Sequence, residues 1–203
     1  MGIQRSRTPW SVFVKIVGVL LGAGSARRFG ANKLLHPLSD GTPIGVASLR
    51  NLKSALPDVL AVVRSDDYRL LELLEEEGIA VHACQDAQLG MSRSFVCGIG
   101  ASENADGWVI ALGDMPFVLP QTIKSVAACL AQSGRIAVPS YFGQRGHPIG
   151  FGRRYLNELL KLHGDEGARS VIASHPLDVE IVECQDRGIL LDIDAPGDLE
   201  TQC

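Results

Sequence analysis

The chain has 203 residues, of which 46% are hydrophobic and 21% charged, and its formal net charge at pH 7 is −4. This length and composition predict a single domain, residues 1–203, with a substantial hydrophobic core. The mild acidity excludes proteins that bind nucleic acids or membranes through a broad basic surface. No apolar run is long enough for a transmembrane helix, so we expect none.

The five cysteines include no CxxC pair, and their number is odd. Their spacing therefore matches neither a disulfide framework nor a zinc site. We expect buried, unpaired thiols in a cytoplasmic protein, because the cytoplasm keeps thiols reduced.

Short apolar runs alternate with helical patterns along the chain. Strands are predicted, in order, at VFVKIVGVLL, DVLAVV, IAVHAC, GWVIAL, RIAVPSYF, DVEIVEC and GILLDID. Helices are predicted at IGVASLRNLKSAL, YRLLELLEEEG, SRSFVCGIGAS, QTIKSVAACLAQ, RRYLNELLKL and ARSVIAS. The alternation predicts an α/β fold of three layers, with helices covering both faces of a mostly parallel sheet.

A glycine-rich loop, LGAGSARRFGANK, follows the first predicted strand at residues 21–33. Glycines let backbone N–H groups approach a ligand, while arginine and lysine side chains bind phosphate oxygens. The loop is not a P-loop, since Leu34 follows Lys33, and Arg27 replaces the third glycine of a dinucleotide fingerprint. The pattern predicts a triphosphate site; the alternative is an ordinary turn with surface arginines.

Three aspartates lie at the ends of two predicted strands, where ligands bind in such sheets. Asp114 follows the fourth strand, and Asp192 and Asp194 alternate with apolar residues in LLDID. On a strand, that alternation places both carboxylates on one face, where they repel unless a cation lies between them. We expect a Mg²⁺ site, which needs few protein carboxylates. The alternatives are a turn aspartate and a solvated edge strand.

Five motifs carry a resemblance to a known family: LGAGSARRFGANKLL, ALGDMP, RGHPIGF, GDEGAR and ILLDIDAPGDL. In this order they resemble the molybdenum cofactor cytidylyltransferases, whose wider group includes the molybdopterin guanylyltransferases. The resemblance implies a Rossmann-like nucleotidyltransferase fold. It also implies transfer of CMP from CTP to the terminal phosphate of molybdopterin, with Mg²⁺ as cofactor and pyrophosphate as product. A molybdenum hydroxylase is the candidate partner enzyme.

The resemblance also assigns roles to individual residues. It implies nucleotide binding by Leu21, Gly22, Ala23, Gly24, Ser25, Arg28, Lys33, Gly90, Ser92 and Ser94. It implies catalytic roles for Arg28, Lys33 and Asp114, metal binding by Asp114 and Asp194, and acceptor binding by Arg145, His147 and Asp192. Two structural alternatives stay open: Ser92 as a helix N-cap, and His147 as a structural histidine.

The nucleotide preference depends on a few loop residues. The sequence GAG around Ala23 is closer to the cytidylyl form AAG than to the guanylyl form AGG, and LGDMP is also closer to the cytidylyl form. The chain departs from the family at Gly22, Asn32, Ala195 and Gly197. Guanylyl transfer, nucleotidyl transfer to another phosphorylated small molecule, and a non-catalytic molybdopterin carrier remain the alternatives.

Overall fold

The structure is a computed structural model that describes residues 14–23, 32–87, 90–164, 167–195 and 197–199. The strands in this part are β1 (Ile16–Leu21), β2 (Asp58–Arg64), β3 (Ala80–Cys84), β4 (Gly107–Leu112), β5 (Ile136–Tyr141), β6 (Gln144–Arg145), β7 (Ile149–Gly152) and β8 (Val179–Glu183). The α-helices are α1 (Ile44–Ala55), α2 (Tyr68–Glu76), α3 (Met91–Gly100), α4 (Pro120–Ser133), α5 (Leu156–Leu159) and α6 (Arg169–Ser174).

The strands form one mixed sheet in the order β3-β2-β1-β4-β7-β5, with β8 and β6 also pairing with β5. β1 runs parallel to β2 and β4, and β2 runs parallel to β3. β7 is antiparallel to both β4 and β5, so β5 and its parallel partner β8 run in the direction of β1. The carboxyl ends of β1–β5 and β8 therefore meet at one edge of the sheet, which we call the carboxyl edge.

Helices cover both faces of the sheet because the central strands are apolar on both sides. Along β1, Ile16 and Leu20 belong to a core cluster with residues of α1, α2 and α4. Val17, Val19 and Leu21 point the other way, into a cluster with residues of α3, α5 and α6. This period-two pattern in an all-apolar strand is typical of a buried parallel sheet. The predicted three-layer α/β fold is confirmed.

The last predicted strand is wrong. In GILLDID, Arg187–Leu190 form a 3-10 turn, and Asp192 and Asp194 lie in an irregular segment, so they do not share the face of a strand. Ile189 and Ile193 are 1% and 0% exposed. The alternation that suggested a strand is therefore satisfied by a loop whose apolar side chains enter the core.

Asp186 connects this C-terminal segment to α4. Its carboxylate, which is 4% exposed, accepts hydrogen bonds from Leu119 N (2.8 Å), Thr122 Oγ1 (2.7 Å) and Gly188 N (2.9 Å). A Cβ added at Gly188 would overlap the backbone carbonyl of Phe117, so only glycine allows this close approach. The result is a fixed path for the chain that leads to Asp192 and Asp194.

The expectation of unpaired thiols is wrong for two cysteines. Cys84, at the end of β3, forms a disulfide with Cys97 of α3, while Cys129 and Cys184 are free. α3 packs against β3, and the two Cα atoms are 6.3 Å apart. Their 13-residue separation gives no hint of this contact, because it depends on the packing of α3 against the sheet. None of the described helices is both long and apolar enough to cross a membrane.

Candidate functional site

The glycine-rich loop begins at the carboxyl edge, directly after β1. Leu21, Gly22 and Ala23 are buried. Gly22 N donates a hydrogen bond to Val62 O (2.8 Å), and Gly113 N donates one to Leu21 O (2.9 Å). The first residues of the loop are therefore fixed between β2 and the turn after β4. The predicted ligands Gly24, Ser25 and Arg28 lie outside the described residues, and their roles stay predictions.

Lys33, Asp114 and Asp194 meet beyond β1 and β4. The Lys33 ammonium lies 2.8 Å from Asp114 Oδ2 and 2.8 Å from Asp194 Oδ1. The side chain of Lys33 is 11% exposed, that of Asp114 23% and that of Asp194 55%. Asp114 and Asp194, the two residues for which the resemblance implies metal binding, therefore both contact the Lys33 ammonium. Metal binding by them stays a prediction.

The charges at this site stabilise one another. Burial acts to lower the pKa of Lys33, but its hydrogen bonds to Asp114 and Asp194, together with their charges, outweigh burial and raise that pKa above its ordinary value. Lys33 is therefore a full cation at neutral pH. A protonated lysine between two carboxylates can pair with phosphate oxygens when another cation neutralises the aspartates.

Two polar side chains of α1 position the turn that carries Asp114. Ser48 Oγ donates a hydrogen bond to Gly113 O (2.8 Å), and Asn51 Nδ2 donates one to Pro116 O (2.8 Å). Neither residue was predicted to act at the site, because the sequence pattern identified this segment only as a helix. No local sequence signal marks them, since the burial of Ser48, which is 5% exposed, is apparent only in the structure.

A second set of hydrogen bonds positions Asp194. Ile193 N donates to Asp114 O (3.0 Å), which ties the C-terminal segment to the β4 turn. Asp198 Oδ2 accepts hydrogen bonds from the backbone N–H groups of Asp194 and Ala195, both at 2.8 Å. These two N–H donors lower the pKa of Asp198, so it is ionised at neutral pH. Asp198 is thus a positioning residue for Asp194 that sequence analysis did not identify.

The departure from the family at Asn32 has a structural reason. Asn32 Nδ2 donates a hydrogen bond to Asp67 Oδ2, and Asn32 Oδ1 accepts one from Leu34 N (3.0 Å). Asp67 follows β2 and caps α2, and its partial burial raises the pKa of its carboxyl group. An aspartate at position 32 would place two carboxylates in contact, whereas asparagine supplies a donor.

Two of the predicted acceptor residues, Arg145 and His147, lie at the carboxyl edge beside β5. His147 sits between β6 and β7, and its backbone N–H donates to Ile189 O (3.0 Å). Its Nδ1 atom is buried and has no hydrogen-bond partner among the described residues. Burial lowers the pKa of His147 to about 4; the charge of Asp114 opposes this shift, and that of Arg169 adds to it. The ring is therefore neutral at pH 7. Arg145 and Asp192 are exposed.

The predicted base and ribose segment begins α3. Gly90 is the N-cap, with φ 121°, so the alternative of Ser92 as the N-cap is wrong. Ser92 N donates to Gly164 O (3.3 Å). The hydroxyl oxygens of Ser92 and Ser94 are buried and lack a hydrogen-bond partner in the part of the chain that the structure describes. Buried hydroxyls normally have partners, and nucleotide contact by these residues stays a prediction.

The donor set at Asp114 and Asp194 fits a magnesium ion. Both carboxylates already surround one cation, and hard oxygen ligands are those that Mg²⁺ prefers. Within the described residues, no group of three or more histidine, cysteine, aspartate or glutamate side chains could hold a metal. A metal here would therefore complete its shell with water and substrate phosphate, as Mg²⁺ commonly does.

Comparison with known proteins shows which relatives share this architecture. Residues 18–179 match the model of the MobA-like NTP transferase domain. The chain is 34% identical over 196 residues to the purine catabolism protein PucB of Bacillus subtilis, an alignment that covers 91% of the chain and 94% of PucB. It is 25% identical to the nicotine blue oxidoreductase of Paenarthrobacter nicotinovorans, covering 88% of the chain and 92% of that protein. It is also 25% identical to a probable molybdenum cofactor guanylyltransferase of Thermococcus gammatolerans, covering 60% of each.

Solved structures agree with the fold. The crystal structure of Rv0371c from Mycobacterium tuberculosis superimposes with a TM-score of 0.79 at 27% identity and covers 93% of the chain and 97% of Rv0371c. A manganese complex of Rv0371c superimposes with a TM-score of 0.76 at 26% identity, with the same coverage. The family model covers most of the chain, and the first relative is similar over nearly its whole length. The chain therefore belongs to the MobA-like NTP transferase family and is a nucleotidyltransferase of that type.

Proposed function

We propose that the protein transfers CMP from CTP to the terminal phosphate of molybdopterin and releases pyrophosphate. The observation that carries the proposal is the convergence of Lys33, Asp114 and Asp194 at the end of β1 and β4, where the glycine-rich loop begins. Cationic and carboxylate groups at this position are what a triphosphate with its metal requires. The GAG and LGDMP sequences support cytidylyl transfer.

In the proposed reaction, an oxygen of the acceptor phosphate attacks the α-phosphorus of CTP. A new P–O bond forms, and the bond from that phosphorus to pyrophosphate breaks. The acceptor needs no strong general base, because a phosphate monoester is already largely anionic near pH 7. Mg²⁺ bound by Asp114 and Asp194 would supply charge neutralisation on the triphosphate; the manganese complex of Rv0371c supports a divalent cation in this fold.

The remaining groups act through position and charge. Lys33 neutralises phosphate charge, as does Arg28 by resemblance to the family. The neutral His147 ring offers one hydrogen bond to the acceptor without adding a charge. The resemblance to the molybdenum cofactor cytidylyltransferases suggests a molybdenum hydroxylase as the enzyme that receives the product.

The test measures pyrophosphate release with Mg²⁺, molybdopterin and each of CTP, GTP, ATP and UTP. We expect the highest kcat/KM with CTP. Release with GTP alone would establish guanylyl transfer, the alternative that the Thermococcus gammatolerans relative supports. Binding of molybdopterin without release from any nucleotide would identify a carrier and refute the enzyme.

Two loop variants make the nucleotide test sharper. Gly22→Ala creates the cytidylyl form AAG, whereas Gly22→Ala combined with Ala23→Gly creates the guanylyl form AGG. A Cβ at Gly22 would lie 3.3 Å from Val62 O, so alanine fits after a small adjustment. We expect the single variant to keep the preference for CTP and the double variant to shift it toward GTP. Equal preferences in both variants would contradict a role for Ala23.

A further inference from the structure

The turn between β5 and β6 contains an unusual residue. Phe142 and Gly143 connect Tyr141 to Gln144, which pair across the hairpin. Both residues have positive φ, 47° for Phe142 and 79° for Gly143. Two-residue hairpin turns of this kind strongly favour asparagine followed by glycine. Among the described residues, Phe142 is the only one other than glycine with positive φ.

Neither packing nor solvation explains a phenylalanine at this position. Its side chain is 78% exposed, and its one ring contact is an edge-on approach to Tyr141, with centroids 4.6 Å apart. A left-handed conformation is unfavourable for an L-residue with a bulky side chain. An exposed aromatic ring gains little from burial of apolar surface. Strained residues that nothing in the fold requires are commonly found where a ligand binds.

The turn follows β5 at the carboxyl edge, where the cation site also lies. Trp108 of β4 and Ile136 of β5 both align with Phe151 of β7, which lies between them. Asp114 and Phe142 each follow their aligned residue by six positions. β4 and β5 are two strand spacings apart, which is about 10 Å. Asp114 and Phe142 thus follow strands whose spacing one extended small molecule can bridge.

The position of the turn in the sheet separates it from the nucleotide base. The predicted base segment follows β3, which lies on the other side of β1 and β4 in the strand order. The turn instead adjoins Arg145 and leads to His147 with its buried, unpartnered Nδ1. The ligand on this side of the cation site is therefore the acceptor.

We propose that Phe142 is a stacking platform for a planar, fused-ring heteroaromatic acceptor whose phosphate reaches the site at Lys33 and Asp114. This inference rests on the proposed function and adds a residue that selects the acceptor by its ring. Stacking of one heteroaromatic ring on an aromatic side chain is worth about 1–3 kcal/mol, or roughly 5-fold to 150-fold in affinity. Phe142 thus binds the acceptor at some cost to the local stability of the hairpin.

The experiment compares Phe142→Asn with Phe142→Trp. Phe142→Asn removes the ring and introduces the residue that this turn favours. We expect its melting temperature to rise by roughly 2–4 °C, while the KM for molybdopterin rises about tenfold and the KM for CTP stays unchanged. Phe142→Trp keeps a ring and should retain a near-wild-type KM for molybdopterin. Leu177→Asn, at a side chain that is 91% exposed before β8, is the matched control and should change neither KM.

A second measurement does not depend on turnover. We expect the wild-type protein to quench the fluorescence of a pterin monophosphate titrated without nucleotide, and Phe142→Asn to quench it much less. If the wild-type protein releases no pyrophosphate but still quenches the pterin more strongly than Phe142→Asn does, the proposed function is overturned and the stacking role stays intact. Less than a twofold change in both the KM for molybdopterin and the pterin affinity would overturn the platform. Loss of binding to a protein partner, with both values unchanged, would reassign Phe142 to a protein contact.

Discussion

Asp114 and Asp186 both follow strands at the carboxyl edge, but their carboxylates have different partners. Asp186 is 4% exposed and accepts hydrogen bonds from two backbone N–H groups and the Thr122 hydroxyl. The Asp114 carboxylate pairs with the Lys33 ammonium, and its side chain remains 23% exposed. A carboxylate whose partners are fixed parts of the fold contributes to stability. A carboxylate such as Asp114, whose partner is the long, rotatable side chain of Lys33, can exchange that partner for a ligand.

The largest effect that this difference predicts is on turnover. We expect Asp114→Asn to reduce kcat about 100-fold to 1,000-fold, because it removes one preorganised charged group from the site. Its free energy of unfolding should change little, since the lost ion pair is partly exposed. Pyrophosphate release and urea unfolding would be measured on the same preparation. Near-wild-type turnover would show that Asp114 does not act at the reacting centre.

The next effect is on stability and concerns the other carboxylate. We expect Asp186→Ala to lower the free energy of unfolding by about 3–4 kcal/mol, because it leaves Leu119 N, Gly188 N and the Thr122 hydroxyl without their acceptor. Asp186→Asn retains one acceptor oxygen and should cost less. Both variants should keep most of their turnover while folded. If the variants lose most of their turnover under conditions in which they remain folded, Asp186 belongs among the catalytic groups.

The Cys84–Cys97 disulfide is another contact between fixed parts of the fold, and it lies beside the predicted base segment. Reduction should lower the free energy of unfolding by about 2–3 kcal/mol, because the bond closes a short loop in the unfolded chain. Thermal unfolding with and without dithiothreitol would measure this change. The Cys84→Ser/Cys97→Ser variant is the control and should be insensitive to the reductant. Identical melting curves for the wild-type protein in both conditions would mean that the thiols are not bonded in solution.

His147 is partly buried, and its Nδ1 atom is fully buried without a hydrogen-bond partner among the described residues. Its pKa is about 4 in the folded protein and 6.5 in the unfolded chain. Between these values the unfolded state binds more protons, so the free energy of unfolding falls as pH falls. The loss between pH 7 and pH 5 should be about 2 kcal/mol. Urea unfolding over this range would measure it, and His147→Gln should remove most of the dependence. An equal slope in that variant would mean that other groups cause it.

The regular part of the fold could be predicted from the sequence. The run GWVIAL is β4 with both of its predicted ends, and the helix expected after Pro43 is α1. These elements are predictable because their apolar periodicity matches how they are buried. Asp114 could be placed at the carboxyl edge for the same reason, since it follows a buried strand.

Long-range contacts could be predicted only in outline. Lys33 and Asp194 are separated by 161 residues, and only the shared sheet edge suggested that they meet. The segment GILLDID has the alternation of a strand, but its backbone forms a turn and an irregular stretch. Ile189 and Ile193 are buried in the core although this segment pairs with none of the described strands. Ser48 and Asn51 donate hydrogen bonds to the backbone of a distant turn, and no local pattern marks such contacts. Asp198 instead accepts hydrogen bonds from the N–H groups of Asp194 and Ala195, only four and three residues before it.

The Lys33 bridge has a consequence for the order in which ligands bind. Asp114 and Asp194 already have a counter-ion, so a divalent ion that arrives alone must displace an ammonium whose pKa is raised by the same two carboxylates. A triphosphate that carries the divalent ion offers the displaced ammonium new partners in the same event. Binding is then an exchange of ion pairs. We therefore expect metal and nucleotide to bind with positive cooperativity, each increasing the affinity for the other by the same factor.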